Sequence, residues 1–214
     1  MRSGERSAVA SIEQSADVDP TAVVGSRTRV WHLAQIRQGA RIGDDCVIGR
    51  GAYIGAGVSV GAASKIQNHA LVYEPADLGP GVFIGPAAVL TNDRFPRAAN
   101  PDLTVKTGRD WQRVGVVVRE GASVGARAVC VAPVTIGRWA LVAAGAVVTR
   151  DVPDFALVAG APARRVGWVG RAGVPLDPDP HEEGVLVCPA TGARYRLTAD
   201  GALVEETPEA RDDA

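Results

Sequence analysis

The chain has 214 residues, a formal net charge of -1 and 46% apolar residues, enough for one large domain or two small ones. The near-neutral balance gives no electrostatic footing for nucleic acid or an anionic membrane surface. No apolar run reaches the length of a membrane span, and residues 1–10 carry no signal-peptide core, so the expectation is a cytoplasmic protein.

Residues 1–15 are polar and unpatterned and are expected to be a flexible N-terminus. From Val18 every sixth residue is aliphatic: Val18, Val24, Val30, Ile36, Ile42, Ile48, Ile54, Val60, Ile66, Val72, Leu78, Ile84 and Leu90. Neither the helical period of 3.6 nor the strand period of 2 alone accounts for a strict six. The residue two places earlier is usually small, as at Ala22, Ala34, Ala40, Ala52, Ala70 and Ala88. The residue just after is often glycine, as at Gly25, Gly43, Gly49, Gly55, Gly61, Gly79 and Gly85. Six residues make a short strand and a tight turn with one side chain pointing inward, so this is an all-β parallel solenoid of three units per coil. Glycine serves the turns, by positive φ or by close approach. The scarcity of aromatics (three Phe, three Tyr, four Trp) suits a narrow interior built from Val, Ile, Leu and Ala.

The second coil carries Trp31, His32 and Gln35 at outward positions. In the fourth, Lys65-Ile66-Gln67-Asn68-His69-Ala70-Leu71-Val72-Tyr73-Glu74, the turn glycines disappear and Gln67 and Tyr73 replace them. A solenoid corner that gives up glycine for Asn, His, Tyr and Glu is in use for something else. The period breaks over residues 91–115, rich in Asn, Asp, Arg and Pro. It resumes at Val118, Val124, Cys130, Ile136, Val142 and Val148, with Val118 standing 28 residues after Leu90, not a multiple of six. The insertion therefore reads as a loop ejected between coils, and so long a loop inside a compact domain points to function.

The expected organisation is a solenoid over 16–155 with loop 91–115, an extension and linker over 156–183, a small antiparallel meander over 184–206 and a flexible tail over 207–214. The meander strands are predicted at Val185–Val187, Arg194–Thr198 and Ala202–Glu205. It is too small for its own core and should pack on the solenoid or a neighbour. Cys46, Cys130 and Cys188 form no CxxC and no disulfide framework, and the first two fall at buried repeat positions.

The repeat, the ejected loop and the segment Val148-Thr149-Arg150-Asp151-Val152-Pro153 through Gly160-Ala161-Pro162-Ala163-Arg164 resemble the left-handed parallel β-helix acyltransferases. Within these, Lys65-Ile66-Gln67-Asn68, Val72-Tyr73-Glu74, Gly85-Pro86, Thr91-Asn92, Pro96-Arg97, Gly145-Ala146-Val147-Val148-Thr149 and Gly167-Trp168-Val169 are most similar to the nucleotide-sugar 3-amino N-acetyltransferases. The resemblance covers most of residues 18–171. It implies a left-handed coil, a homotrimer with sites between subunits, acetyl-CoA as cosubstrate, no metal, and transfer to the 3-amino group of a UDP- or dTDP-linked sugar.

By the same resemblance, Asn92, Glu74 and His69 are the catalytic candidates, and Lys65, Asn68, Tyr73, Arg94 and Arg97 the substrate-binding ones. Ala132, Gly145, Ala146, Ala163, Arg164 and Arg165 would meet CoA. Four of these have a plainer alternative: a structural asparagine ladder for Asn68, a solvated basic end for Arg164 and Arg165, plain surface for His69. Where the family shows a second asparagine, this chain has His69, a residue type that other hexapeptide acyltransferases use as base. Ala132-Pro133 is a second departure and reshapes the thioester pocket. Trp111 either packs a nucleotide base or pins the loop. A metal-dependent carbonic anhydrase on the same solenoid needs three converging histidines, and this chain has only His32, His69 and His181. A 4-amino sugar, another small amine as acceptor, and a non-catalytic scaffold stay open as alternatives.

Overall fold

The computed structural model describes residues 9–206. Strands of two to four residues stack in parallel on three flat faces. The first face is a nine-stranded sheet running from Ser11–Ile12 through Lys65–Ile66 to Ala156–Ala159, closed by an antiparallel strand at Arg164–Trp168. The second has seven strands, from Asp17–Val18 through Tyr53–Ile54, Leu71–Val72 and Val89–Leu90 to Val147–Val148. The third has six, from Val23–Val24 to Val134–Ile136. Like stacks on like: Ile36 pairs with Ile54, Ile54 with Val72, Val72 with Leu90 and Leu90 with Cys130. The inward Val and Ile of successive coils thus form continuous columns, and Ile36, Ile48, Ile54, Ile66, Ile84 and Ile136 are at most 1% exposed. Each such side chain contributes about 1.5–3 kcal/mol by leaving water, but only because the neighbouring coils supply the cover.

The turn glycines have a single physical reason. A Cβ on Gly25, Gly43, Gly49 or Gly125 would stand 2.5–2.6 Å from the backbone of the next coil, so close approach excludes a side chain there. Positive φ falls elsewhere, three residues after the inward aliphatic: Arg27, Leu33, Gly39, Asp45, Gly51, Gly57, Ala63 and His69 all occupy it. Most of these corners carry a side chain despite the strain of the left-handed region.

Three boundaries differ from the sequence expectation. Ser11–Ile12, within the expected N-terminal segment, pairs with Arg29–Val30, because Ile12 lies six before Val18 and opens the hexad. The rest of the expected flexible N-terminus, residues 1–8, and the tail 207–214 lie outside the described residues. At the other end the last coil is shortened: Ile136 bridges Val152 and Val142 pairs with Val158, so Ala156–Ala159 is a solenoid strand and not a linker. The hexad would have put Asp154 and Gly160 inward, and the change of phase supplies Val152 and Val158 in their place.

The C-terminal meander has four strands, the fourth contributed by Asp177–Pro178 from the expected linker. Phe155, Cys188, Tyr195 and Leu203 form its core against Trp139 and Trp168 at the solenoid end. The amide of Arg171 donates to Tyr195 Oη at 3.0 Å, and Oη donates to Glu205 at 3.3 Å. Arg194 and Arg196 are ringed by Asp179, Glu182 and Glu206. Among the described residues no helix is long and apolar enough to cross a membrane.

Candidate active site

The candidate residues fall on two edges of the prism, with the second face between them. The first edge, between the first and second faces, carries Asn68 and His69. Asn68 Oδ1 accepts a hydrogen bond from the Arg50 amide of the coil below at 2.9 Å. Asp44 Oδ1 does the same for Ser26 at 2.7 Å on another edge, so this oxygen has a ladder role. Asn68 is otherwise exposed. His69 is exposed and left-handed (φ 60), and its backbone NH donates to Arg50 O at 2.9 Å. Its ring rests on Gly51, where a Cβ would come within 2.6 Å of Nδ1. Glycine at 51 is therefore what seats the imidazole.

Higher on this edge stand Ala87, Arg127 and Gly145, each hydrogen-bonded to the coil below. Ala163 closes on the same region, its amide donating to Val147 O at 2.8 Å, so Gly145, Ala146 and Ala163 come together. Arg164 is exposed, while Arg165 stacks on Trp168, its Cζ 4.2 Å from the ring centroid.

The second edge, between the second and third faces, carries Tyr73, Glu74 and Asn92. The Tyr73 ring lies 5.2 Å from that of Tyr53. Burial pushes the Tyr53 phenol up, and the Glu74 carboxylate adds to it. Glu74 and Asn92 stand one coil apart, as the pairing of Val72 with Leu90 requires. Glu74 Oε2 is packed over Gly55, buried and without a hydrogen-bond partner. An unpartnered buried carboxylate oxygen is costly and marks a place where a donor is missing.

Loop 91–115 leaves and returns at this edge. Thr91 Oγ1 accepts from the Ala132 amide at 3.0 Å, and the Val114 amide donates to Asn92 O at 3.2 Å. Gly115 passes so close to Pro75 that a Cβ would lie 2.6 Å from its carbonyl oxygen. Two clefts of about 320 Å³ flank the loop, sharing Asp93, Lys106 and Trp111. Arg97 lines one, Arg94 and Pro133 the other. Trp111 is half-buried with Arg113 5.7 Å from its ring centroid.

One chain thus brings Glu74, Tyr73, Asn92, Arg94, Arg97 and Ala132 to one edge, and Asn68, His69, Gly145 and Ala146 to the other. Lys65 sits on the outward side of the first face beside the first edge. The structure does not gather all of them in a single pocket. Sequence reasoning passed over Gly51, Gly55 and Arg50, although their signal was present: each lies eighteen or nineteen residues before the candidate it supports. Among the described residues no group of three or more His, Cys, Asp or Glu is placed to hold a metal ion.

Period and coil together define a hexapeptide-repeat β-solenoid. Residues 21–56 match the family model described as bacterial transferase hexapeptide (six repeats), and residues 115–150 match that of the hexapeptide repeat of succinyl-transferase. Over 87 residues the chain is 45% identical to the dTDP-3-amino-3,6-dideoxy-alpha-D-galactopyranose 3-N-acetyltransferase of Aneurinibacillus thermoaerophilus, covering 41% of this chain and 43% of that one. It is 33% identical over 144 residues to the bifunctional protein GlmU of Nitratidesulfovibrio vulgaris, covering 67% and 27%. Among solved structures it is similar to PerB from Caulobacter crescentus in complex with CoA and GDP-perosamine, at 27% identity and a TM-score of 0.45, covering 75% and 58%. The chain spans less than half the length of either of the first two relatives.

Proposed function

We propose that the protein is an acetyl-CoA-dependent N-acetyltransferase that acts on the 3-amino group of a UDP- or dTDP-linked sugar. The observation that carries this is the 45% identity to a dTDP-3-amino-sugar 3-N-acetyltransferase. The sugar amine attacks the thioester carbonyl, the carbon–sulfur bond breaks, and CoA leaves as thiolate while the amine loses a proton. A sugar amine is partly neutral near pH 7, so positioning and oxyanion stabilisation supply much of the rate. Asn92 holds the amine or the sugar. His69 takes the proton, and the Glu74 carboxylate orients the 3-amino group.

Asn68 and Tyr73 contact the sugar, and Lys65, Arg94 and Arg97 meet its diphosphate or carboxylate. The backbones of Ala132, Gly145, Ala146 and Ala163 line the pantetheine path, with Arg164 and Arg165 at the CoA phosphates. The site is completed in a homotrimer, where the His69 edge of one copy faces the Asn92 edge of the next. The outward side of the second face supports this: Tyr53, Leu71, Val89, Val129 and Val147 stack as an apolar column suited to another copy. Acetyl-CoA and nucleotide sugars are cytoplasmic metabolites, and the cytoplasm is the compartment proposed.

The test is thiol release from acetyl-CoA with a panel of UDP- and dTDP-linked 3-amino and 4-amino sugars. Turnover restricted to a 3-amino sugar is expected. CoA binding without turnover would move the acceptor elsewhere, and no CoA binding would overturn the enzyme reading.

A further inference from the structure

The first edge continues below His69 in a way that the assigned roles do not use. One coil down lies Arg50, its amide held by Asn68 Oδ1 and its carbonyl by the His69 amide. Two coils down lies Trp31, half-buried, with the Arg29 guanidinium 4.1 Å from its ring centroid. Coils stack at about 4.8 Å, so the three groups stand one coil apart, each step also shifted by one residue around the corner.

Four arginines of the solenoid meet a carboxylate, and Arg50 does not. Arg27 is paired with Asp45 at 2.6 Å, Arg138 with Asp154 at 2.8 Å, Arg37 with Asp17 at 3.8 Å and Arg29 with Glu13 at 3.9 Å. Among the described residues the exposed guanidinium of Arg50 has no carboxylate partner, nor does Lys65 on the strand beside it. The residues above and below Arg50 in its column, Asn68 and His32, offer it no anion. His32 is itself engaged, with Ser15 Oγ at 2.9 Å on Nδ1 and Glu13 at 3.5 Å on Nε2. Among the described residues Arg50, one coil below His69, and Lys65, level with it, thus flank the lower part of the edge without a carboxylate, with an aromatic surface below them and the proposed acceptor of the amine proton above.

We infer that this edge binds the nucleoside diphosphate portion of the substrate: the diphosphate on Arg50 and Lys65, the base on Trp31, and the amino sugar uppermost at His69. This rests on the nucleotide-sugar reading proposed above and gives it an orientation. The order of groups along the edge, amine site, cations, aromatic, is the order of sugar, diphosphate and base in the ligand. Guanidinium–phosphate hydrogen bonds and base–indole stacking are the interactions those side chains supply. The ejected loop, with Trp111, is then left to the sugar end of the site contributed by the other edge.

The experiment titrates UDP, dTDP and CoA separately into the wild-type protein and into R50A, W31A, W31F and W111A, with thermal melts to verify folding. Nucleoside diphosphate affinity should fall about ten-fold or more in R50A and W31A, be largely kept in W31F, and be unchanged in W111A, while CoA affinity stays constant throughout. Wild-type affinity for UDP and dTDP in R50A and in both Trp31 variants would overturn the placement while leaving the nucleotide reading intact, as would loss confined to W111A. CoA binding with no nucleoside diphosphate binding by the wild type would remove the placement and the nucleotide-linked substrate together.

Discussion

The imidazole of His69 rests on Gly51, eighteen residues earlier and one coil below, with no room for a Cβ between them. Gly51 also holds a positive φ of 62, so alanine there is strained as well as obstructive. G51A should therefore act on His69 at a distance from any substrate contact. It is expected to cost about 1–2 kcal/mol in stability and to lower kcat toward the value of H69A. That variant should lose on the order of 10²-fold or more if the imidazole takes the proton. Steady-state kinetics of G51A and H69A with the amino sugar, alongside urea unfolding of G51A, check both.

Glu74 presents the opposite balance. Its buried Oε2 has no partner in the free protein, so E74Q, which removes the charge at almost constant shape, should leave stability unchanged or raise it by about 1 kcal/mol. The same change should lower kcat/KM for the amino sugar and leave the KM for acetyl-CoA alone. Urea unfolding and initial rates on one preparation decide the matter.

Cys130 lies in an inward column, and burial pushes its thiol up to about 12 from 9.0. The folded state keeps the proton that the unfolded chain releases, so the contribution is complete below pH 9 and is lost as pH rises toward 12. The full slope is about 1.4 kcal/mol per pH unit within that window. Urea midpoints at pH 8 and pH 10.5 should diverge more for the wild type than for C130V, and the folded thiol should resist alkylation at pH 8.

Tyr195 fastens the meander to the segment that leaves the solenoid, through Arg171 and Glu205. Y195F should cost about 1 kcal/mol, since the part-buried hydrogen bond from the Arg171 amide loses its acceptor. Transfer activity should persist, because none of the proposed site residues belongs to that sheet. Calorimetry and the thiol assay test the two halves of this expectation.

The sequence made the solenoid legible because a period of six repeats the same physical demand in every coil, and Val18 to Leu90 meet it without a miss. It left the ends unread where that demand changes form. Ile12 sits in a polar stretch that hid its place in the hexad, and the last coil drops two residues, so Val152 and Val158 fall out of step. The candidate site was legible as substitutions, Asn, His, Tyr and Glu where glycine or small residues had stood. Its division between two edges was not, because hexad phase gives the corner but not what faces it. The ladder role of Asn68 and the seating of His69 on Gly51 depend on stacking between coils, which a linear reading shows only when residues eighteen apart are compared.

The central claim is that one active site uses the His69 edge of one copy and the Asn92 edge of another. The most direct measurement is thiol release by mixed oligomers of H69A and N92A, formed by co-expression and compared with each variant alone. Two inactive parents should yield a mixture with a substantial fraction of wild-type activity, because some interfaces then carry both intact edges. Activity no higher than that of the parents, in oligomers verified to contain both chains, would contradict the claim.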